Sequence, residues 1–398
     1  MSASVSPLQA RYAPDFKIRI NGDDLPKAVR SSVGSIRFED GMQRADRVEI
    51  SVANTELRFL QKHIRGLGFQ PFPTAVRIGP VQASATPSGV FDVTNTLSLA
   101  LGYSPGSLTD VFLGEITGVQ AAFPSSGTPT LTIVAHDYLQ RLSQGSAARG
   151  FGPIPDFVVA AILGAENLLM PMIDPTLAAA ASAMSAVGMI FSGAGIKQKG
   201  QTDLQLLDEI ARRYDAEYWV EGTVLHVSRF LKQYTPSVTL TWGESLIDFS
   251  PQVSTVGSVA GVSMKFTLRE IPMDFLVTAG WDFDRESLSI SVTPGQAGQG
   301  APGVSGPSFT IIDQPITSPA DIANSALTIV RELRRRLNAR LTATANMIGD
   351  PRIAAGAVVR IEGIGPDFSG DYRVRSATHT IDGGGYRTSC QLYKEIIP

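Results

Sequence analysis

Ile353-Ala-Ala-Gly-Ala-Val-Val-Arg-Ile-Glu-Gly-Ile-Gly365, Phe368-Ser-Gly-Asp-Tyr-Arg-Val-Arg-Ser-Ala-Thr-His-Thr-Ile381 and Gly383-Gly-Gly-Tyr-Arg-Thr-Ser-Cys-Gln-Leu-Tyr393 form the stretch whose reading decides the fold. Apolar and polar residues alternate through Tyr372, Val374 and Ser376 and again through Tyr386, Thr388, Cys390 and Leu392, which is the period of half-buried strands. Gly363 and Gly365 with Pro366, and Asp382 with the following glycines, supply turn chemistry, because glycine reaches positive φ without steric cost and aspartate tolerates it. The stretch reads as an antiparallel meander.

The chain carries a second version of it. Val76-Arg77-Ile78-Gly79 echoes Val359-Arg360-Ile361-Glu362-Gly363. Phe112-Leu-Gly114-Glu-Ile116 echoes Phe368-Ser-Gly370-Asp-Tyr372, with one spacing common to all three positions. Each is followed, across a glycine turn, by a further strand: Pro129-Thr-Leu-Thr-Ile-Val-Ala135 after Gly127, and Tyr386 to Tyr393 after the Gly383–Gly385 triplet. A repeat of this kind implies two copies of one β fold.

Length sets the scale: 398 residues are enough for two to three domains with substantial cores. Hydrophobic content of 43% is ordinary for a folded protein, and 18% charged residues is low, which points to surface buried against partners. A net charge of −3 gives no basic footprint for nucleic acid. The single cysteine, Cys390, excludes an internal disulfide and any multi-cysteine metal cluster, and its place in an alternating strand makes it a small core residue. The N-terminus lacks the basic and apolar regions of a signal peptide. Leu168–Ile196 is the most apolar window, but prolines and Asp174 interrupt its start and Ala, Ser and Gly dominate the rest. It reads as a packed or interface helix rather than a membrane span.

In order, residues 1–14 read as a flexible arm and 15–145 as a β domain, with strands at Phe16–Ile20 before Asn21-Gly22, at Ser35–Glu39, Asp46–Asn54, Leu97–Leu101, Val111–Val119 and Thr130–Ala135, and a short helix at Thr55–Gln61. Residues 146–235 read as a helical α+β connection containing an Ala-rich insertion at about 164–196. Its expected parts are a helix from Asp156 to Leu163, a second over Leu177–Gly188, a third opened by the capping box Thr202-Asp-Leu-Gln205, and a hairpin around Glu221-Gly222. Residues 236–398 read as the second β domain, with strands at Val238–Trp242, Ser254–Phe266 and Leu276–Ala279, a mobile loop at 293–308, and a helix from Ser318-Pro-Ala-Asp321 to about Asn338 before the meander. The fold class is α+β, mainly β.

No stretch reads as an active site. Gly102-Tyr-Ser-Pro-Gly106 matches a nucleophile elbow, but Ser104 stands between two strands instead of between strand and helix. Gly298-Gln-Gly-Ala-Pro-Gly303 matches a dinucleotide fingerprint, but Pro302 and the Gly-Pro tract around it forbid the helix that would hold the pyrophosphate. His63, His136, His226 and His379 are nowhere at metal-ligand spacing on one element. Asp282 and Asp284 fall on one face of a strand, where solvation or pairing with Arg285 explains them. Arg331, Arg334 and Arg335 share a helix face, solvated or available to acids of another subunit. No catalytic, cofactor or metal residue is assigned.

The succession Asp46-Arg-Val-Glu-Ile-Ser-Val-Ala-Asn54, Val111-Phe-Leu-Gly-Glu-Ile116, Ala135-His-Asp137, Gln198-Lys-Gly-Gln-Thr-Asp-Leu-Gln-Leu-Leu207, Trp242-Gly-Glu-Ser-Leu246, then Gly356, Phe368-Ser-Gly-Asp-Tyr-Arg-Val374, His379 and Tyr386-Arg-Thr388, resembles the baseplate hub proteins of contractile phage tails. These form the late-control protein D family, related to the hub part of VgrG and of contractile injection systems. The resemblance spans about residues 15–395. It implies two similar tube-like antiparallel β-barrel domains per chain and a homotrimer whose domains form a pseudo-sixfold ring. Such a ring lets a trimeric spike join a hexameric inner tube or its initiator. It also implies a LysM-type adaptor and wedge proteins as neighbours, and assembly in the host cytoplasm into a virion tail or injection particle. On this resemblance Phe112, Gly114, Ile116, Phe368, Gly370 and Tyr372 are structural residues of the repeated module, and no cofactor is expected. The chain ends at Pro398 without a spike domain, so the spike is expected as a separate protein, and the Ala-rich segment is longer than usual. Readings from other classes are a polymer hydrolase using Asp282 and Asp284, and a carbohydrate-binding β module.

Overall fold

The computed structural model describes residues 13–54, 90–175, 177–179, 196–214, 216–228, 235–254, 261–267, 274–282, 287–294, 308–311, 329–330 and 332–395. The N-terminal part contains β1 (Ala13–Ile20), β2 (Asp23–Asp24), helix α1 (Lys27–Arg30), β3 (Val33–Gly41), β4 (Arg47–Ala53), β5 (Thr96–Ser104), β6 (Leu108–Ala122) and β7 (Thr130–Asp137). Ala13 and Pro14, expected in the arm, already pair with Ser104 and Tyr103. The Asn21-Gly22 turn forms as predicted, both residues having positive φ (54° and 88°). The helix expected at Thr55–Gln61 and the strand at Val76–Gly79 lie outside the described residues.

A 3-10 turn (Tyr138–Ser143) opens the connection, followed by β8 (Ala147–Gly150), α2 (Asp156–Glu166), β9 (Met170–Ile173), β10 (Lys197–Gln201), α3 (Asp203–Arg213), β11 (Glu217–Glu221) and β12 (Val224–Ser228). The capping box is present: Thr202 accepts from the Gln205 backbone N–H at 3.1 Å while the Gln205 side chain accepts from the Thr202 N–H at 2.9 Å, satisfying two of the free donors of the first turn. Leu206, Leu207 and Ile210 of α3 pack with Phe157, Val159 and Leu163 of α2 in a core of their own. Of the Ala-rich helix only residues 177–179 are described, and they are helical.

The last part contains β13 (Val238–Thr241), β14 (Leu246–Val253), β15 (Gly261–Thr267), β16 (Asp274–Asp282), β17 (Ser287–Pro294), β18 (Ser308–Ile311), β19 (Leu341–Ile348), β20 (Val358–Glu362), β21 (Gly370–Asp382) and β22 (Gly385–Tyr393). The meander is there: β20, β21 and β22 pair antiparallel in sequence, with Gly385 at φ 108° in the final turn. Residues 332–338 are helical, ending where the sequence places the end. Thr293 and Pro294, expected in the loop, belong to β17, and Ser308 begins β18.

Thirteen strands make one sheet, ordered β14-β19-β22-β21-β3-β4-β7-β6-β5-β1-β2, with β20 and β13 branching from β21. Its two ends have separate cores, one around Ile50, Val52, Leu97, Leu99, Ile116 and Ile133 and one around Leu240, Ala345, Ile361, Tyr372, Val374 and Cys390. Strands β15 to β18 form a separate four-stranded sheet, ordered β17-β16-β15-β18, that packs its own core on Ile329, Leu333 and Leu337 of the helix. The stretch 236–398 therefore holds two sheets, the smaller inserted between β14 and β19.

Candidate assembly surface

Backbone pairing relates the two ends of the sheet more closely than their side chains do. In the first, the order is β3-β4-β7-β6-β5-β1; in the second, β14-β19-β22-β21-β20-β13. Registers correspond from the first strand of each order through the fourth. Val33 lies opposite Val52 and, after one skipped residue, Ser35 opposite Ser51; likewise Leu246 lies opposite Met347 and, after one skipped residue, Asp248 opposite Asn346. The skip between Ile116 and Gly118 against β7 matches that between Val374 and Ser376 against β22. Bulges of this kind fix twist and register. Even loop bonds repeat: Thr94 N–H donates to the Ile116 carbonyl as Gly356 N–H does to Val374, and both donors have φ 79°. One pair differs, β1·β5 being antiparallel and β13·β20 parallel.

This pairing sets Ile116 against Val374, two residues beyond the Tyr372 that the sequence motif aligns with it, and Gly114 against Tyr372. The strand facing Gly114 is β5, through Leu97, in the place that the motif assigns to Val76–Gly79. The motif glycines have different physical work. A Cβ on Gly114 would stand 2.1 Å from the His136 carbonyl oxygen, whereas Gly370 is required by its φ of 132°. Phe112 packs edge-on to Phe38 at 5.9 Å, Ile116 is buried, and the buried Tyr372 donates its hydroxyl to the Phe368 carbonyl at 2.6 Å.

The two ends join along β21. Its first residues, Gly370 to Arg373, pair with β20; past the bulge, Ser376 to Ile381 pair with β3, Ser376 opposite Gly41 and Ile381 opposite Ile36. At this join His379 is buried and held by the Ile353 carbonyl at Nε2 (2.9 Å) and by Tyr386 and Thr388 hydroxyls at Nδ1 (2.9 and 3.0 Å). The carbonyl can only accept, so Nε2 carries the proton and Nδ1 accepts. Burial lowers the His379 pKa, leaving the ring neutral. Nearby, burial together with the carboxylates of Asp40 and Asp137 pushes Asp46 well above the usual range, and burial pushes Asp137 to about 7.

Among the described residues, two of the open edges of the large sheet correspond to the two strands of this join. Past its bulge, β6 has β7 on one side and, among the described residues, no strand on the other; β14 has only β19. Both carry exposed apolar side chains: Phe123, just after β6, is 60% exposed, and Ile247 and Val253 of β14 are 51% and 54% exposed.

Solved structures with the same architecture are proteins of tails and secretion machines. A 43 kDa tail protein of prophage MuSo2 from Shewanella oneidensis is 12% identical, with TM-score 0.60 over 96% of this chain and 98% of its own. A tail protein from Neisseria meningitidis MC58 is 11% identical, with TM-score 0.59 over 96% and 97%. An E. coli component of the type VI secretion system, described as structurally similar to the T4 tail proteins gp27 and gp5, is 11% identical, with TM-score 0.54 over 96% and 80%. The chain has the fold of these proteins. No protein-family model matches it, and no curated protein matches it by sequence.

The other residues singled out by sequence are scattered. Ser104 ends β5 and leads into β6, so it joins two antiparallel strands. His136 bonds Thr117 Oγ1 at 2.7 Å, and His226 stacks on Trp219 at 5.0 Å. His63, Asp284 and the side chain of Asp282 lie outside the described residues. Arg334 turns inward to Glu395 of its own chain at 3.4 Å, Arg335 pairs with Glu332 on the surface at 2.8 Å, and Arg331 is outside the described residues. Among the described residues, no group of His, Cys, Asp and Glu is arranged to hold a metal ion, and no helix is long and apolar enough to cross a membrane.

Proposed function

We propose that this chain is a structural hub in the baseplate of a contractile tail or a related injection system. It acts without turnover, as a homotrimer in which each chain supplies two β modules, within 15–145 and 236–398, linked by 146–235. Six modules in near-sixfold arrangement match a hexameric inner tube on one face, while the threefold chain symmetry matches a trimeric spike on the other. Assembly in the host cytoplasm, followed by residence on the particle, goes with that role, as do adaptor and wedge proteins on the outer surface.

The observation that carries this reading is the repeated pairing order, with bulges at the same two places. One chain that presents the same strand framework twice is what a threefold-to-sixfold adaptor needs. The fold shared with tail and secretion proteins supports it.

Native mass spectrometry of the purified chain, alone and mixed with spike and tube proteins from the same gene cluster, tests the reading. A trimer, alone or on adding the spike, is expected. A chain that stays monomeric in every mixture overturns it.

A further inference from the structure

We infer that the second half of β6 pairs antiparallel with β14 of a second copy of this chain, a seam that closes the ring of the hub reading on which the inference rests. Inside the chain, β21 shows how one module grips the next: its stretch past the bulge, Ser376 to Ile381, lies against β3. By the register correspondence, the counterpart of that stretch is Gly118 to Phe123, and the counterpart of β3 is β14. Among the described residues these are the two halves of a join that the chain makes once and leaves open once.

Backbone directions agree. At the in-chain join Met42 N–H donates to the Arg375 carbonyl, so by alternation Ala377 and His379 face β3; their counterparts Val119 and Ala121 face the open side of β6. Ser254 N–H donates to Arg340, on the β19 side, so Val253, Pro251 and Phe249 face outward from β14. Carrying the in-chain register across sets Val119 opposite Val253, Gln120 opposite Gln252 and Ala121 opposite Pro251. Pro251 offers its carbonyl but no N–H, so the seam has one hydrogen bond fewer than a full ladder. The same proline blunts β14 against indiscriminate strand pairing. Burial differs as the inference requires: Ile381 at the closed join is 8% exposed, and its counterpart Phe123 is 60% exposed.

The contact is head-to-tail, so it either closes or runs on as a filament; closure at three copies gives six modules. Gln120 and Gln252 face away from each other's backbone across the seam, a pair whose Cα atoms stand roughly 4.5 Å apart, within disulfide range. Both are exposed, so Gln120→Cys with Gln252→Cys leaves each core intact, and native Cys390 is buried. Oxidised and run without reductant, the double variant, alone or with spike protein, is expected to give covalent trimers. Either single variant can reach no more than a dimer, and Gln120→Cys with Ser250→Cys, two residues out of register, is expected to give no trimer. A native trimer whose double variant does not cross-link overturns the seam and leaves the hub reading standing; a monomer in every mixture overturns both.

Discussion

His379 and Phe38 stack ring on ring, centroids 5.6 Å apart and planes 18° from parallel, across the join between the two halves of the large sheet. The imidazole is held neutral, with Nε2–H donating to Ile353 and Nδ1 accepting from Tyr386 and Thr388. His379→Ala would empty a packed site and strand these groups, so a loss of about 2–4 kcal/mol is expected, read as a lower urea midpoint. Because the folded pKa is depressed by burial, this group's stability is present above the unfolded value near 6.5 and falls with pH below it. His379→Asn should show a smaller loss between pH 7 and 5 than the parent chain.

Asp137 acts with the opposite sign. Its carboxyl is raised from 3.8 to about 7, so the stability it allows is complete below about pH 4 and declines as pH rises towards 7. Its Oδ1 accepts from Leu139 N–H at 3.1 Å, a bond that an asparagine oxygen keeps. Asp137→Asn should therefore raise the melting temperature at pH 8 more than at pH 5, in thermal scans across that range.

Thr94 and Gly356 stand at matching places with the same φ of 79°. A β-branched residue is strained there and glycine is not. Thr94→Gly is expected to stabilise the chain by about 1 kcal/mol, the relief of strain exceeding the entropy cost of glycine. Gly356→Thr should destabilise it by about 1–3 kcal/mol. Paired melting curves of the two variants check the contrast in sign.

Arg373 is 2% exposed and reaches Glu395 at 2.6 and 2.9 Å and the Gly356 carbonyl at 2.8 Å. Removing one partner of a buried ion pair leaves the other uncompensated, so Glu395→Ala should cost about 3–5 kcal/mol. Arg373→Met combined with Glu395→Ala should recover much of that in the same denaturation assay.

The meander, the capping box at Thr202 and most strands of the first half were legible, because their alternation and turn residues are strong. The sequence motif sets Ile116 against Tyr372, two residues from where the strand pairing sets it, since Gly114 and Gly370 look alike in sequence but answer to different constraints, a close carbonyl and a positive φ. What the halves share is burial and bulge position: Ile133 corresponds to Cys390 and Leu97 to Val359. Strand β14 was missed because Pro251 argues against a strand except at an edge, and β19 because Ala343 and Ala345 weaken its alternation. Pairing of β13 with β20 joins residues far apart in the chain, which no local pattern announces. The open edges came only from seeing which strands lack a neighbour on one side among the described residues.

The central claim is that each chain supplies two equivalent modules to one ring, and cryo-electron microscopy of the assembled hub viewed down its axis tests it most directly. Six near-equivalent β modules from three chains around a central opening are the predicted result. A threefold particle in which only one end of the large sheet from each chain lines the axis would contradict it.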